Sequence, residues 1–77
     1  INMIEIKTNS LNESFIGEKI ENLKIFPKTG CKIIGYKNQD GSYSINPDER
    51  QPIEKDCCLI VFGKPEQIVA LKEYIYL

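Results

Sequence analysis

Histidine and tryptophan are both absent from the chain. Without an imidazole, no side chain is set to exchange a proton near neutral pH, and serine or cysteine nucleophiles lose their usual base. Histidine metal ligands are excluded for the same reason. Cysteine is scarce: Cys31, Cys57 and Cys58 show no CxxC spacing, so they form no zinc signature. An odd number of cysteines without a cationic, apolar leader points to a reducing, cytosolic compartment. Adjacent Cys57 and Cys58 on a strand would face opposite sides, which suits small core or interface fillers better than a redox pair. Neither sign of charge dominates: 10 Lys and Arg against 11 Asp and Glu leave a formal charge of −1. With its lysines scattered from Lys7 to Lys72, the chain lacks the basic patch that phosphate-driven nucleic-acid binding needs. The longest apolar run, residues 57–62, falls far short of the ~18–20 residues of a membrane helix. No GxGxxG or P-loop pattern occurs. Carboxylates lie close together at Asp48-Glu49 and at Glu54/Asp56, but in a polar connection where solvated surface charge explains them. No catalytic machinery is visible, and none of these absences favours an enzyme.

What is present is a chain of 77 residues, enough for one small domain. Hydrophobic residues make up 42% of it, so it can build a core, although so small a core leaves a thin margin of stability. A second copy is a natural way to bury more surface. Residue 1 is Ile rather than Met, and residues 1–77 read as a single domain excised from a longer protein.

Apolar and polar residues alternate over residues 3–7, which predicts a first strand with one buried face. Ile16, Ile20 and Leu23 then recur at helical spacing, with Gly17 as a tolerated cap and Glu18 in the first turn. Pro27 and Gly30 bar this helix from continuing, so it is short. Residues 31–38 predict a second strand. Asp40-Gly41 fits a two-residue type I′ hairpin loop, with a third strand over residues 43–46 that Pro47 stops. Residues 48–56 form a polar connection around Ile53. Residues 57–62 are apolar throughout, the pattern of a strand covered on both faces or placed centrally. Pro65 opens a second helix at its first position, with Ile68, Leu71 and Ile75 on the buried side. The predicted class is α+β: a four-stranded mixed or antiparallel sheet with two helices, in the order strand, helix, strand, strand, strand, helix.

Phe26, Tyr36, Tyr43, Tyr74 and Tyr76 are more aromatics than a core this small holds entirely, and such residues favour interfaces. Phe26 and Tyr36 fit ordinary core equally well, and the end of the chain at Tyr74-Ile75-Tyr76-Leu77 fits either packing on the domain or contact with a second copy. Lys32 and Lys37 could meet an anionic ligand or simply be solvated.

The order of elements and several local motifs resemble the TrkA-C domain, the C-terminal half of the RCK (regulator of potassium conductance) unit. The motifs are Ser14-Phe15-Ile16-Gly17-Glu18-Lys19-Ile20-Glu21-Asn22-Leu23, Lys32-Ile33-Ile34-Gly35-Tyr36, Ile45-Asn46-Pro47-Asp48, and Ile53-Glu54-Lys55-Asp56 running into residues 57–63 and Pro65-Glu66. The likeness spans about residues 3–75. Two positions depart from it: Lys55 stands where the family has Gly, and Asn38 stands near a position often held by Arg. The resemblance implies a cytosolic regulatory domain of a potassium channel or potassium transport protein, one that dimerises and senses a ligand. It implies no resident cofactor, but a small regulatory ligand such as a cyclic dinucleotide at the dimer interface. A nucleotide-binding domain and a membrane pore or transporter would be its neighbours. The alternative within the same resemblance is a passive dimerisation module of another ion or solute transporter, with no ligand of its own. By position, the resemblance places the interface or ligand pocket at Leu23, Ile25, Phe26, Cys31, Lys32 and Pro47, residues that could equally close the monomer's core.

Overall fold

A computed structural model describes residues 1–76 of the chain. Its elements are strand β1 (Asn2–Lys7), helix α1 (Ile25–Thr29), strands β2 (Lys32–Lys37), β3 (Tyr43–Ile45) and β4 (Cys58–Gly63), and helix α2 (Pro65–Ile75), with short 3-10 turns at Thr8–Ser10, Glu13–Phe15 and Ile20–Leu23. The strands form one antiparallel sheet in the order β1-β4-β2-β3. The α+β class and the strand–helix alternation read from the sequence hold, and the sheet is antiparallel throughout.

β4 is central, as its apolar composition requires, but only one of its faces is covered. Leu59 and Val61 are fully buried, while Phe62 on the opposite face is 40% exposed. Register explains the split. Ile4 and Ile6 sit beside Val61 and Leu59, and Ile33 and Tyr36 flank them on β2. Ile68, Leu71 and Ile75 of α2 close this face from above, together with Ile20, Leu23, Ile25 and Ile53. Thr8 ties the end of β1 to the start of β4. Its hydroxyl and its N–H both donate to the Cys57 carbonyl, at 3.1 and 2.9 Å, and the Cys57 N–H donates back to the hydroxyl at 3.1 Å. Every polar atom of this buried node is therefore satisfied.

Two local expectations are corrected. The helix expected over Ile16, Ile20 and Leu23 does not form. Gly17 adopts φ +89°, and the backbone of this stretch is bonded across to the polar connection instead. Gly17, Ile20 and Glu21 donate to the carbonyls of Ile53, Gln51 and Glu49 at 2.7–2.9 Å, and Ile53 donates to Glu18 at 2.8 Å. Those long-range bonds compete with i to i−4 bonds and win, so the apolar spacing is served by 3-10 turns. The α-helix comes later, at Ile25–Thr29, and contains Pro27 within its first turn, where a missing N–H costs nothing. Gly30 ends it at φ +81°, donating to the Phe26 carbonyl.

The hairpin loop is also longer than two residues. Asn38 donates to the Ser42 carbonyl at 2.7 Å and Gly41 donates to the Asn38 carbonyl at 3.0 Å, and of the two residues Asp40 and Gly41 only Gly41 has positive φ. This is a three-residue loop, a type I turn followed by a left-handed glycine, because a type I′ turn would need positive φ at Asp40 as well. The Asp40 carboxylate instead accepts from the Ser42 N–H and hydroxyl, which holds its pKa below the usual carboxylate value. α2 starts at Pro65 as expected, and Gln67 accepts the Lys64 N–H at 2.8 Å to cap it.

Candidate ligand site

The turn that replaces the expected helix opens a cleft. Lys24 adopts the left-handed conformation at φ 53°, linking the 3-10 turn at Ile20–Leu23 to α1. The kink turns Ile25 inward, where it is buried, and Phe26 outward, where it is 65% exposed. Asn46, also left-handed at φ 48°, turns the chain at the end of β3 and brings Pro47 towards the start of β2. Between these two bends lies a cleft of about 500 Å³, walled by Ile25, Phe26, Pro27, Cys31, Ile33 and Pro47. Its rim carries Glu21, Lys24, Lys32 and Glu49. The volume is within the ~300–1,000 Å³ typical of small-molecule sites.

Of the six residues placed here from the sequence, Ile25, Phe26, Cys31, Lys32 and Pro47 meet in this one cleft. Leu23 does not line it. It is fully buried beneath, and its carbonyl accepts from the Tyr74 hydroxyl at 2.7 Å. Lys24, Pro27, Ile33, Asn46, Glu21 and Glu49 also line it, outside the six, as does buried Ile20. Asn46 and Lys24 could not have been singled out, since nothing in their residue types alone requires a left-handed backbone.

The remaining candidates lie elsewhere. Tyr36 is core: its ring is buried and its hydroxyl accepts from the Glu54 N–H at 3.0 Å. Burial, foremost, pushes that phenol up to about 12. Lys37 stands 5.7 Å over the Tyr43 ring, at the far end of β2 from the cleft. Asn38 is at that end too, donating to the Ser42 carbonyl and to the Ser42 and Ser44 hydroxyls, so the absence of an arginine there removes nothing from the cleft walls. Asp48 holds Arg50 at 3.2 Å on the surface, and the hydrogen bonds from Arg50 keep its carboxyl below the usual range. The cysteines are free thiols, Cys31 and Cys57 buried and Cys58 half-buried. Burial pushes the Cys58 thiol up, away from the thiolate a redox sensor uses. Phe15 and Tyr74 pack at 5.9 Å between ring centres, and Tyr76 remains exposed. Leu77 lies outside the described residues. Among the described residues no group of His, Cys, Asp and Glu is arranged to hold a metal ion, and no helix is long and apolar enough to cross a membrane.

The family model of the TrkA-C domain matches residues 3–76. A sequence search of curated proteins gives no match. Solved structures share the fold. The RCK_C domain dimer of S. agalactiae BusR in complex with c-di-AMP is 22% identical, with a TM-score of 0.78 over 96% of this chain and 95% of that one. BusR has also been solved with its busAB-promotor DNA, and there the chain spans 34% of the BusR chain. The RCK C domain of the potassium transport protein KtrA in complex with c-di-AMP is 24% identical, with a TM-score of 0.82 over 96% and 82% of the two chains. The GsuK channel is 21% identical with a TM-score of 0.82, and the chain spans 13% of its length. The neighbours thus include a channel, GsuK, and two proteins, KtrA and BusR, whose RCK_C domains are solved with c-di-AMP.

Proposed function

The chain belongs to the TrkA-C domain family, and on that premise we propose that it is the cytosolic, ligand-sensing and dimerising domain of a potassium channel or potassium transport protein, with the cleft at Ile25, Phe26, Cys31, Lys32 and Pro47 as its ligand site. The observation that carries this is the exposure of Phe26 on the wall of an otherwise apolar cleft. Phe26, 65% exposed, shares this cleft with Pro27, Ile33 and Pro47, and a contiguous apolar patch of that kind marks a binding surface where a lone exposed side chain would not. A second copy placed across a two-fold axis would face one cleft with another. The ligand that suits such a site is itself two-fold symmetric and flat, with aromatic rings to stack on Phe26 and charge to meet Lys24 and Lys32. A cyclic dinucleotide has that chemistry: two bases and two phosphates. Regulation then follows by linkage. A ligand that binds one arrangement of the dimer better than another shifts the assembly by its differential affinity.

The second reading, a passive dimerisation module with no ligand, draws on the cleft's charge. Glu21 and Glu49 offset Lys24 and Lys32, so the rim carries no net positive field for an anion. A thermal-shift series with c-di-AMP, c-di-GMP, ATP and NAD separates the two. The ligand-sensing domain is expected to rise in Tm with c-di-AMP as concentration increases, about 2.7 kcal/mol of stabilisation at a hundred times Kd. A Tm unmoved by millimolar c-di-AMP would leave the passive module.

A further inference from the structure

The two edges of the sheet are built differently. The β3 edge is guarded: only three residues long, it ends at left-handed Asn46 and at Pro47. Short strands and prolines are the usual means of stopping a sheet from adding another strand. The β1 edge has none of these. It runs six residues in unbroken register with β4, without proline, glycine or bulge. Thr8 donates its N–H to Cys57, which fixes the ladder's alternation: the main-chain groups of Asn2, Ile4 and Ile6 face β4, and those of Met3, Glu5 and Lys7 face outward. The Lys7 carbonyl accepts the Ser10 hydroxyl at 2.6 Å, and the outward groups of Met3 and Glu5 have no partner among the described residues.

We propose that β1 pairs antiparallel with β1 of a second copy, joining the two sheets edge to edge, at a surface separate from the ligand cleft. The sequence of the strand selects both the partner and the register. Side chains opposite one another on an antiparallel pair share a face, so a two-fold pairing centres on one residue. Centred on Glu5, it sets two carboxylates opposite each other. Centred on Ile6, it runs into the 3-10 turn at Thr8–Ser10 on either side. Centred on Ile4, it pairs residues 1–7 throughout: half-buried Ile4 meets the partner's Ile4 at the edge of the core, Met3 lies opposite the partner's Glu5, and Ile1 opposite the partner's Lys7. No like charges oppose in this register. The outer faces, where Met3, Phe62 and Ile45 are exposed among Glu5, Lys7 and Lys32, then lie side by side on one joined sheet.

The register makes Met3 and Glu5 a reciprocal pair, and Met3 is 62% exposed, so it can be changed without disturbing the core. Sedimentation equilibrium of the chain without ligand, with folding checked by circular dichroism, is the test. Met3→Glu sets carboxylates opposite the partner's Glu5 twice, and is expected to weaken self-association about tenfold. Met3→Lys is expected to keep or strengthen it, and Met3→Glu with Glu5→Lys to restore it. Amide exchange adds a readout the cleft would not move: the Met3 and Glu5 amides become protected as concentration rises, in wild type and in Phe26→Ala alike. Identical association in all the Met3 and Glu5 variants, or Met3 and Glu5 amides that exchange freely in the associated state, would overturn the pairing. The cleft's role as a ligand site would be untouched by that result.

Discussion

The sheet's two faces are made from the same four strands, and their contrast accounts for much of the domain's behaviour. On the inner face Leu59, Val61, Tyr36 and Ile6 are buried under α2 and α1, and the polar groups there are matched: Thr8 with Cys57, Tyr36 with Glu54, Tyr74 with Leu23. On the outer face Met3, Phe62, Ile45 and Tyr43 are exposed, with Glu5, Lys7, Lys32 and Lys37 interspersed. Composition alone does not distinguish the two, since both carry isoleucines and aromatics. What differs is whether a second layer covers them. Stability resides on the inner face, while the cleft and the free edge, which border the uncovered surface, are where another molecule can add.

Substitutions that break this contrast should differ in size in a defined order. Leu59→Ala, at a site with no exposure, is expected to cost about 2–5 kcal/mol, which in so small a domain threatens folding outright. Urea unfolding checks it, and a cost under ~1 kcal/mol would mean that the core is looser than its burial indicates.

Tyr36→Phe comes next. It leaves the Glu54 N–H without its acceptor and is expected to cost about 1–2 kcal/mol. The same residue gives a pH signature. Its phenol is raised in the folded chain to about 12 from 10.0. Between those values the folded state holds the proton that the unfolded state has released, so folding stability is fully present below pH ~10 and declines as pH rises towards ~12. The difference between wild type and Tyr36→Phe should therefore shrink over that window in unfolding midpoints taken from pH 8 to 12. A constant difference would show that the hydroxyl is not held in its protonated form by burial.

Ile45→Ala on the outer face is expected to change stability by no more than about 0.5 kcal/mol, because 76% of Ile45 is already in water. Phe26→Ala should be similarly mild for folding while removing the stacking wall of the cleft. A large loss of stability in either would mean that the outer surface is covered in solution by a second copy.

Much of this was legible in the sequence where short-range patterns act alone. Alternation over β1, the apolar run of β4 and Pro65 at the start of α2 all reappear in the structure. The hairpin loop departs through local bonds among residues 38–42, whereas the missing helix has a distant cause: bonds to residues far away in the chain. Ile16, Ile20 and Leu23 have helical spacing, but their segment is paired with residues 49–53, which no local pattern shows. That same misreading hid the cleft's shape. Its residues were placed together by family likeness, whereas the bend at Lys24 that separates Ile25 from Phe26 comes from the tertiary pairing just before it. The apolar run of β4 fits a strand covered on both faces or placed centrally, and the second holds: β4 is interior to the sheet with one face covered, since hydrophobicity marks what can be buried and not what is.

The most direct test of the cleft is an isothermal titration of the chain with c-di-AMP, alongside Phe26→Ala. A symmetric ligand shared by two facing clefts should bind at one molecule per two chains, and the variant should lose at least tenfold in affinity. Saturation at one ligand per chain, or binding unaltered by Phe26→Ala, would contradict a shared site at this cleft.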